Sequence, residues 1–70
     1  MLSTRHEIFL EVATWLSFTK ASEVLFISQP AISKHIKALE SQYKTTLFER
    51  KGNAIQLTTG GQLLLNRIRE

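Results

Sequence analysis

Ser28-Gln29-Pro30-Ala31-Ile32-Ser33-Lys34-His35-Ile36-Lys37-Ala38-Leu39-Glu40 is the stretch whose reading decides the fold. Ser28 has a short hydroxyl that can accept from the amides of a helix's first turn, and Pro30 falls where an amide hydrogen would have no partner anyway. A helix therefore starts here, and it is two-sided. Ile32, Ile36 and Leu39 recur at helical spacing and give an apolar back. Gln29, Pro30, Ser33, Lys34 and Lys37 gather on the roughly opposite face and give a hydrogen-bonding front. The segment is expected to run from Gln29 to about Tyr43.

Upstream, the hydroxyls of Ser17-Phe18-Thr19 mark a break and a new N-cap, followed by a short helix from Lys20 to Leu25. Phe26-Ile27 holds no glycine stop, yet Ser28 restarts the chain, so two helices meet across a turn of about three residues. Before them, Thr4 and Glu7 stand in capping-box spacing, and Ile8, Phe9, Val12, Ala13 and Leu16 form one apolar stripe. This first helix reads as scaffold.

Downstream the helical period fails. Leu47-Phe48-Glu49-Arg50, Lys51-Gly52-Asn53-Ala54 and Ile55-Gln56-Leu57-Thr58 read as strand, turn and strand of a hairpin. Thr58 or Thr59 can cap a last helix whose Leu63, Leu64, Leu65 and Ile68 form an apolar flank. That helix has no stop signal after Arg69-Glu70, so the full protein is expected to continue. Ile8, Phe9, Val12, Leu16, Leu25, Ile32, Ile36, Leu39, Leu47, Phe48, Ile55 and Leu57 are assigned to the core, and Trp15 to a packing role rather than base stacking.

Seventy residues make one domain at most, and a chain this short buries only about 60% of its unfolded surface. With 43% hydrophobic and 21% charged residues it is expected to fold. It has no cysteine, which excludes disulfides and thiolate metal sites and fits a reducing cytoplasm. Met1-Leu2-Ser3-Thr4-Arg5-His6-Glu7 lacks the apolar core of a leader peptide, and Val24-Leu25-Phe26-Ile27 is too short to span a bilayer. The net charge of +3 is concentrated in residues 28–53, where Lys34, Lys37, Lys44, Arg50 and Lys51 stand against Glu40 and Glu49. That is the footprint expected beside phosphates, although on charge alone a solvated lysine-rich face is the alternative.

A short helix, a tight turn and a second helix with a polar front is the arrangement that lays a recognition helix in the major groove of duplex DNA. The residues also carry a resemblance. Ser17-Phe18-Thr19-Lys20-Ala21-Ser22, Leu25, Ser28-Gln29-Pro30-Ala31-Ile32-Ser33, Ile36, Leu39-Glu40, Leu47-Phe48-Glu49-Arg50 and Leu57-Thr58 resemble the N-terminal DNA-binding domain of LysR-type transcription regulators, in register from Phe9 to Gly61. The resemblance implies a mostly α winged helix-turn-helix occupying residues 1–58: a three-helix core with its helix-turn-helix at about 18–37, and a β-hairpin wing at about 47–58. It further implies that residues 59–70 begin a linker helix pairing two subunits over an inverted repeat. The effector would bind a C-terminal domain absent from this chain.

Within that frame, residues 28–41 enter the groove. Gln29 can pair with adenine N6 and N7, Ser33 can donate or accept on the same face, and Pro30 offers an apolar contact such as to a thymine methyl. Lys34 reaches guanine or only phosphate; the family often has arginine there, and lysine lacks the bidentate fork. Lys37, Arg50, Lys51 and Asn53 are assigned to the DNA backbone, with the Lys51-Gly52-Asn53 tip able to enter the minor groove. Ser17, Thr19 and Ser28 divide between capping and phosphate contact. Family members commonly carry arginine near Asn53 and glycine at Lys44, and Phe26 occupies a turn position where other helix-turn-helix proteins often have a small residue. Leu63, Leu64, Leu65 and Ile68 are assigned to dimerisation.

Enzymatic chemistry finds little support. His6 and His35 lack metal-ligand spacing, and the serines sit at helix starts rather than on a nucleophile elbow. No cofactor is implied. The rival reading is a winged-helix protein-interaction module without sequence-specific DNA binding; a protein-binding face would be expected to expose aromatic anchors where this front is polar. A second winged helix-turn-helix family, that of molybdate-responsive regulators, is an alternative within the same function.

Overall fold

Ser3 starts the first helix. In the computed structural model, which describes residues 3–70, the Ser3 hydroxyl accepts from the His6 amide at 3.3 Å and lies 2.6 Å from His6 Nδ1. The expected box at Thr4 and Glu7 is therefore corrected by one residue. Two successive hydroxyls offer two caps, and the one used gains a second contact to the His6 ring. Met1 and Leu2, with which the leader-peptide reading begins, lie outside the described residues. The elements are α1 (Thr4–Trp15), α2 (Phe18–Leu25), α3 (Gln29–Tyr43), β1 (Phe48–Lys51), β2 (Ala54–Leu57) and α4 (Thr59–Arg69). α2 begins earlier than expected because Ser17 caps it by accepting from the Lys20 amide at 3.0 Å, which draws Phe18 and Thr19 into the helix. No described helix is long and apolar enough to cross a membrane.

The first three helices all end on a left-handed residue, and none of the three is glycine. Leu16, Phe26 and Lys44 have φ of 49°, 57° and 55°, and their amides bond back to the carbonyls of Val12, Ser22 and Glu40. This backbone reverses the chain sharply but costs a side-chain-bearing residue about 1–2 kcal/mol. It also removes Leu16 from the core, leaving it 44% exposed. Its spacing from Val12 places it on the apolar stripe only where the chain is still helical.

Phe9, Val12, Ala21, Ile32, Leu39 and Leu47 are fully buried, with Ile8, Ile36, Ile55, Leu64 and Leu65 close around them. Burying each of the larger apolar side chains contributes about 1.5–3 kcal/mol. Leu25, Phe48 and Leu57 are packed against this core but only partly buried. Phe48 ties the hairpin to the helices, its ring 5.4 Å from that of Phe9 and 6.0 Å, edge-on, from that of Phe18.

β1 and β2 are antiparallel, with Phe48 opposite Leu57, Glu49 opposite Gln56, Arg50 opposite Ile55 and Lys51 opposite Ala54. The turn is thus only Gly52-Asn53, one residue shorter at each end than the four-residue turn expected. Gly52 supplies the positive φ of 64° that such a tight connection needs. Because paired residues share a face, Phe48, Arg50, Ile55 and Leu57 face the helices.

Thr58 caps α4 by accepting from the Gly61 amide at 3.0 Å. Gly61 sits so close to the Leu47 carbonyl oxygen that a Cβ there would overlap it. This approach aims Leu64 and Leu65 into the domain's own core, with Ile68 packed beside them, and leaves Leu63 62% exposed. The expected flank of four is corrected accordingly: successive helical residues are rotated by about 100°, so three leucines in a row cannot share one outward face.

These conformations make three substitutions diverge in urea unfolding. Gly61→Ala is expected to destabilise by about 2–3 kcal/mol through overlap with backbone. Gly52→Ala, in open space but at positive φ, costs about 1 kcal/mol. Lys44→Gly, which relieves a left-handed side chain on an exposed helix end, stabilises by about 0.5–1 kcal/mol.

Candidate nucleic-acid interface

The apolar back of α3 is committed to the core, with Ile32, Ile36 and Leu39 all at or below 3% exposure. That commitment fixes what faces outward. Gln29, Pro30, Ser33, Lys34 and Lys37 are all exposed, so the front expected from the sequence is a real surface. Ser28 caps the helix, its hydroxyl accepting from the Ala31 amide at 3.2 Å. Its own hydrogen remains free to donate outward, and the same holds for Ser17 on α2.

The first turns of α2 and α3 meet. Gln29 Nε2 donates to Thr19 Oγ1 at 3.0 Å, joining the first residue of α3 to α2. Further along α3, Ser33 and Lys37 line a recess with Arg50 at the foot of the hairpin, over a floor that includes Phe18, Ile36 and Phe48, and the acidic residues Glu40 and Glu49 line it as well. The structure therefore gathers three of the candidate contact residues around one concavity. Lys34 lies outside it, as do Lys51 and Asn53, which project exposed from the hairpin end. Glu49 accepts from Gln56 Nε2 of the paired strand at 3.2 Å.

His35 points elsewhere. It lines a different recess with Ser3, His6 and Gln42, beside α1, in accord with the expectation that it turns aside from the front. Trp15 is neither core nor part of this front: it is 47% exposed, and the Lys20 ammonium lies over its ring, 5.1 Å from the centroid. A cation over an exposed indole contributes about 0.5–1 kcal/mol. Among the described residues no cluster of three or more histidine, aspartate or glutamate side chains is placed to hold a metal.

The hairpin's position relative to α3 rests on a side chain that sequence reasoning left without a role. Glu40 Oε2 accepts from the Leu47 amide at 2.8 Å in partly buried surroundings, while the Glu40 backbone carbonyl accepts from the Thr45 amide at 3.1 Å. The Leu47 carbonyl in turn accepts from the Thr58 amide at 3.0 Å. At the end of α3, the Tyr43 hydroxyl lies 2.8 Å from His6 Nε2 and ties α3 to the start of α1. Neither link has a local signal, because the partners are brought together only by the fold.

Comparison with known proteins follows the same lines. The family model of bacterial regulatory helix-turn-helix proteins, lysR family, matches residues 4–62. A probable RuBisCO transcriptional regulator of Trieres chinensis is 50% identical over 58 residues, covering 83% of this chain and 19% of that protein. The chain thus spans about a fifth of that relative's length. A crystal structure of a transcriptional regulator of the LysR family from Eggerthella lenta DSM 2243 superposes with a TM-score of 0.94 at 41% identity, covering 100% of both chains. The crystal structure of a CbnR_DBD–DNA complex superposes at 0.88 with 32% identity, over 99% of this chain and 79% of that one.

The Glu40 contact carries an expectation of its own. Glu40→Ala leaves the partly buried Leu47 amide without its acceptor and is expected to cost about 1–3 kcal/mol, whereas Glu40→Gln keeps an acceptor and costs about 1 kcal/mol or less. Urea unfolding checks the ranking, and faster hydrogen exchange at Leu47 in the alanine variant localises the effect.

Proposed function

Since this chain belongs to the lysR family of bacterial regulatory helix-turn-helix proteins, we propose that it is the DNA-reading module of a transcription regulator, with α3 in the major groove and the hairpin as the wing beside it. The observation that carries the proposal is the exposed front of α3, where hydrogen-bonding and cationic side chains stand on a helix whose other face is locked in the core. Affinity comes mainly from phosphates and specificity from base edges. The similarity to a domain solved on DNA supports a duplex as the partner.

In this reading Gln29 contacts adenine N6 and N7, Ser33 reads the neighbouring edge, and Pro30 adds an apolar contact. Lys34 contributes to a base or to phosphate. Ser17, Ser28, Lys37 and Arg50 hold the DNA backbone, and Lys51 and Asn53 approach it from the wing. Lys37 and Arg50, on the two walls of the recess, are the groups that would meet phosphate there, because Glu40 and Glu49 in the same lining repel it. The polar character of this front favours DNA over a protein partner.

Two modules would pair through α4 and read an inverted repeat, as the symmetry of a dimer requires. Leu64, Leu65 and Ile68 already serve the domain's own core, so Leu63 carries the outward contact of the four. The whole regulator would sense its effector in another domain and act in the cytoplasm, without catalysis of its own.

Selection of bound duplexes from a random pool at low and moderate salt tests this. The expected result is an enriched inverted repeat and binding that weakens steeply with salt; absence of binding at low salt would overturn it. Gln29→Ala is expected to relax preference at one position per half-site by about 1–3 kcal/mol. Lys51→Ala weakens all sequences alike and lowers the salt slope by about 0.9 if one phosphate contact is lost.

A further inference from the structure

We infer that Thr19 is a positioning residue for base reading, its hydroxyl on the first turn of α2 holding the carboxamide of Gln29 in the orientation that adenine requires. This rests on the reading of Gln29 as a base contact.

The three hydroxyls on and just before α2 have different duties. Ser17 caps the helix through the Lys20 amide, and Ser22 donates to the Thr19 carbonyl at 2.7 Å. Thr19 Oγ1 alone reaches another helix, accepting from Gln29 Nε2 at 3.0 Å. Because Ser17 is the cap, the Thr19 hydroxyl is not needed to start α2. Both partners of the bond are exposed, so it lies where DNA would arrive.

The chemistry of a primary amide makes this contact compatible with base reading. The group has two N–H donors and a carbonyl with two lone pairs. One N–H given to Thr19 leaves the other N–H and the carbonyl, which are the donor and acceptor that adenine N7 and N6 match. An unrestrained glutamine must give up rotamer freedom to present them, and one already held by a neighbouring helix gives up less. The Thr19 hydroxyl also keeps its own hydrogen, which can be donated to a phosphate oxygen. A backbone contact could in that way be coupled to a base contact.

Three variants separate this role from a merely structural one: Thr19→Val, which removes the hydroxyl at nearly constant shape; Thr19→Ser, which keeps it; and Thr19→Val combined with Gln29→Ala. Binding is measured to the selected duplex, to that duplex changed at the position Gln29 reads, and to random duplex, with thermal unfolding of each protein alongside. Thr19→Val is expected to lose about two- to tenfold of the discrimination at that position, the range one hydrogen bond supplies. Its loss on the selected duplex should exceed its loss on random DNA. Thr19→Ser should retain discrimination, and Thr19→Val should remove none further once Gln29 is alanine. Unchanged discrimination in Thr19→Val, or equal loss on every sequence, would overturn the assignment and leave the hydroxyl a phosphate contact at most. If Gln29→Ala itself left selection intact, the base-contact reading would fall, and this inference with it.

Discussion

Leu47 is where the recognition helix, the wing and the last helix are made into one body. Its side chain is fully buried, its amide is held by the Glu40 carboxylate, and its carbonyl accepts from the Thr58 amide while Gly61 closes on it from α4. Every polar group of the residue is satisfied by a different element, so none of those elements can shift without leaving a partner unpaired. A two-stranded hairpin is marginal by itself. Here its position is dictated from its base, through Leu47 and the Phe48 ring packed on Phe9 and Phe18, while its far end stays in solvent. The recess between Lys37 and Arg50 has a defined width because its two walls are joined at this point.

The same small domain tolerates three left-handed helix ends on leucine, phenylalanine and lysine. Each is a sharp reversal that lets helices α1 to α3 cross within a compact core, and each carries strain that a glycine would avoid. Phe26 is the plainest case, 93% exposed at the bend between α2 and α3, so its side chain gains almost nothing from burial in this domain. Buried side chains on both flanks of each bend offset the strain: Val12 and Ala21 around Leu16, Ala21 and Ile32 around Phe26, Leu39 and Leu47 around Lys44. Local backbone preference is overruled by packing on either side.

That overruling marks the boundary of what could be read from the residues in order. The recognition helix, its apolar back, the hairpin and the α4 cap at Thr58 are written in short-range patterns, and the structure follows them. Leu16 failed because periodicity continues past the point where a chain reversal stops the helix. Adjacency alone does not separate Leu63 from Leu64 and Leu65; the close approach of Gly61 to Leu47 settles which of them turns inward. Hydroxyls at Ser3 and Thr4 compete for one cap, and a ring contact to His6, invisible as a pattern, decides between them. Glu40 and Tyr43 are the larger omissions, and for Thr19 it is the bond to Gln29 that has no local signal. Each makes a bond to a residue the fold brings near, and such bonds leave no spacing to detect.

A division of labour follows from how firmly each contact residue is held. Reading a base edge through two hydrogen bonds requires placement to within a few tenths of an ångström, since donors and acceptors weaken steeply when misaligned. The groups suited to that task, Gln29 and Ser33, lie on the rigid helix, and Gln29 is braced by a second helix. Neutralising phosphate demands much less, because a charge on a long flexible stem finds its partner over a range of positions. Of the groups suited to that, Lys37 shares α3 with Gln29, as does Lys34, which could also meet a base, while Lys51 stands at the end of β1 remote from the Leu47 anchor; all three are exposed. The brace from a second helix thus falls on Gln29, the side chain proposed to read a base, and not on the lysines proposed to meet phosphate.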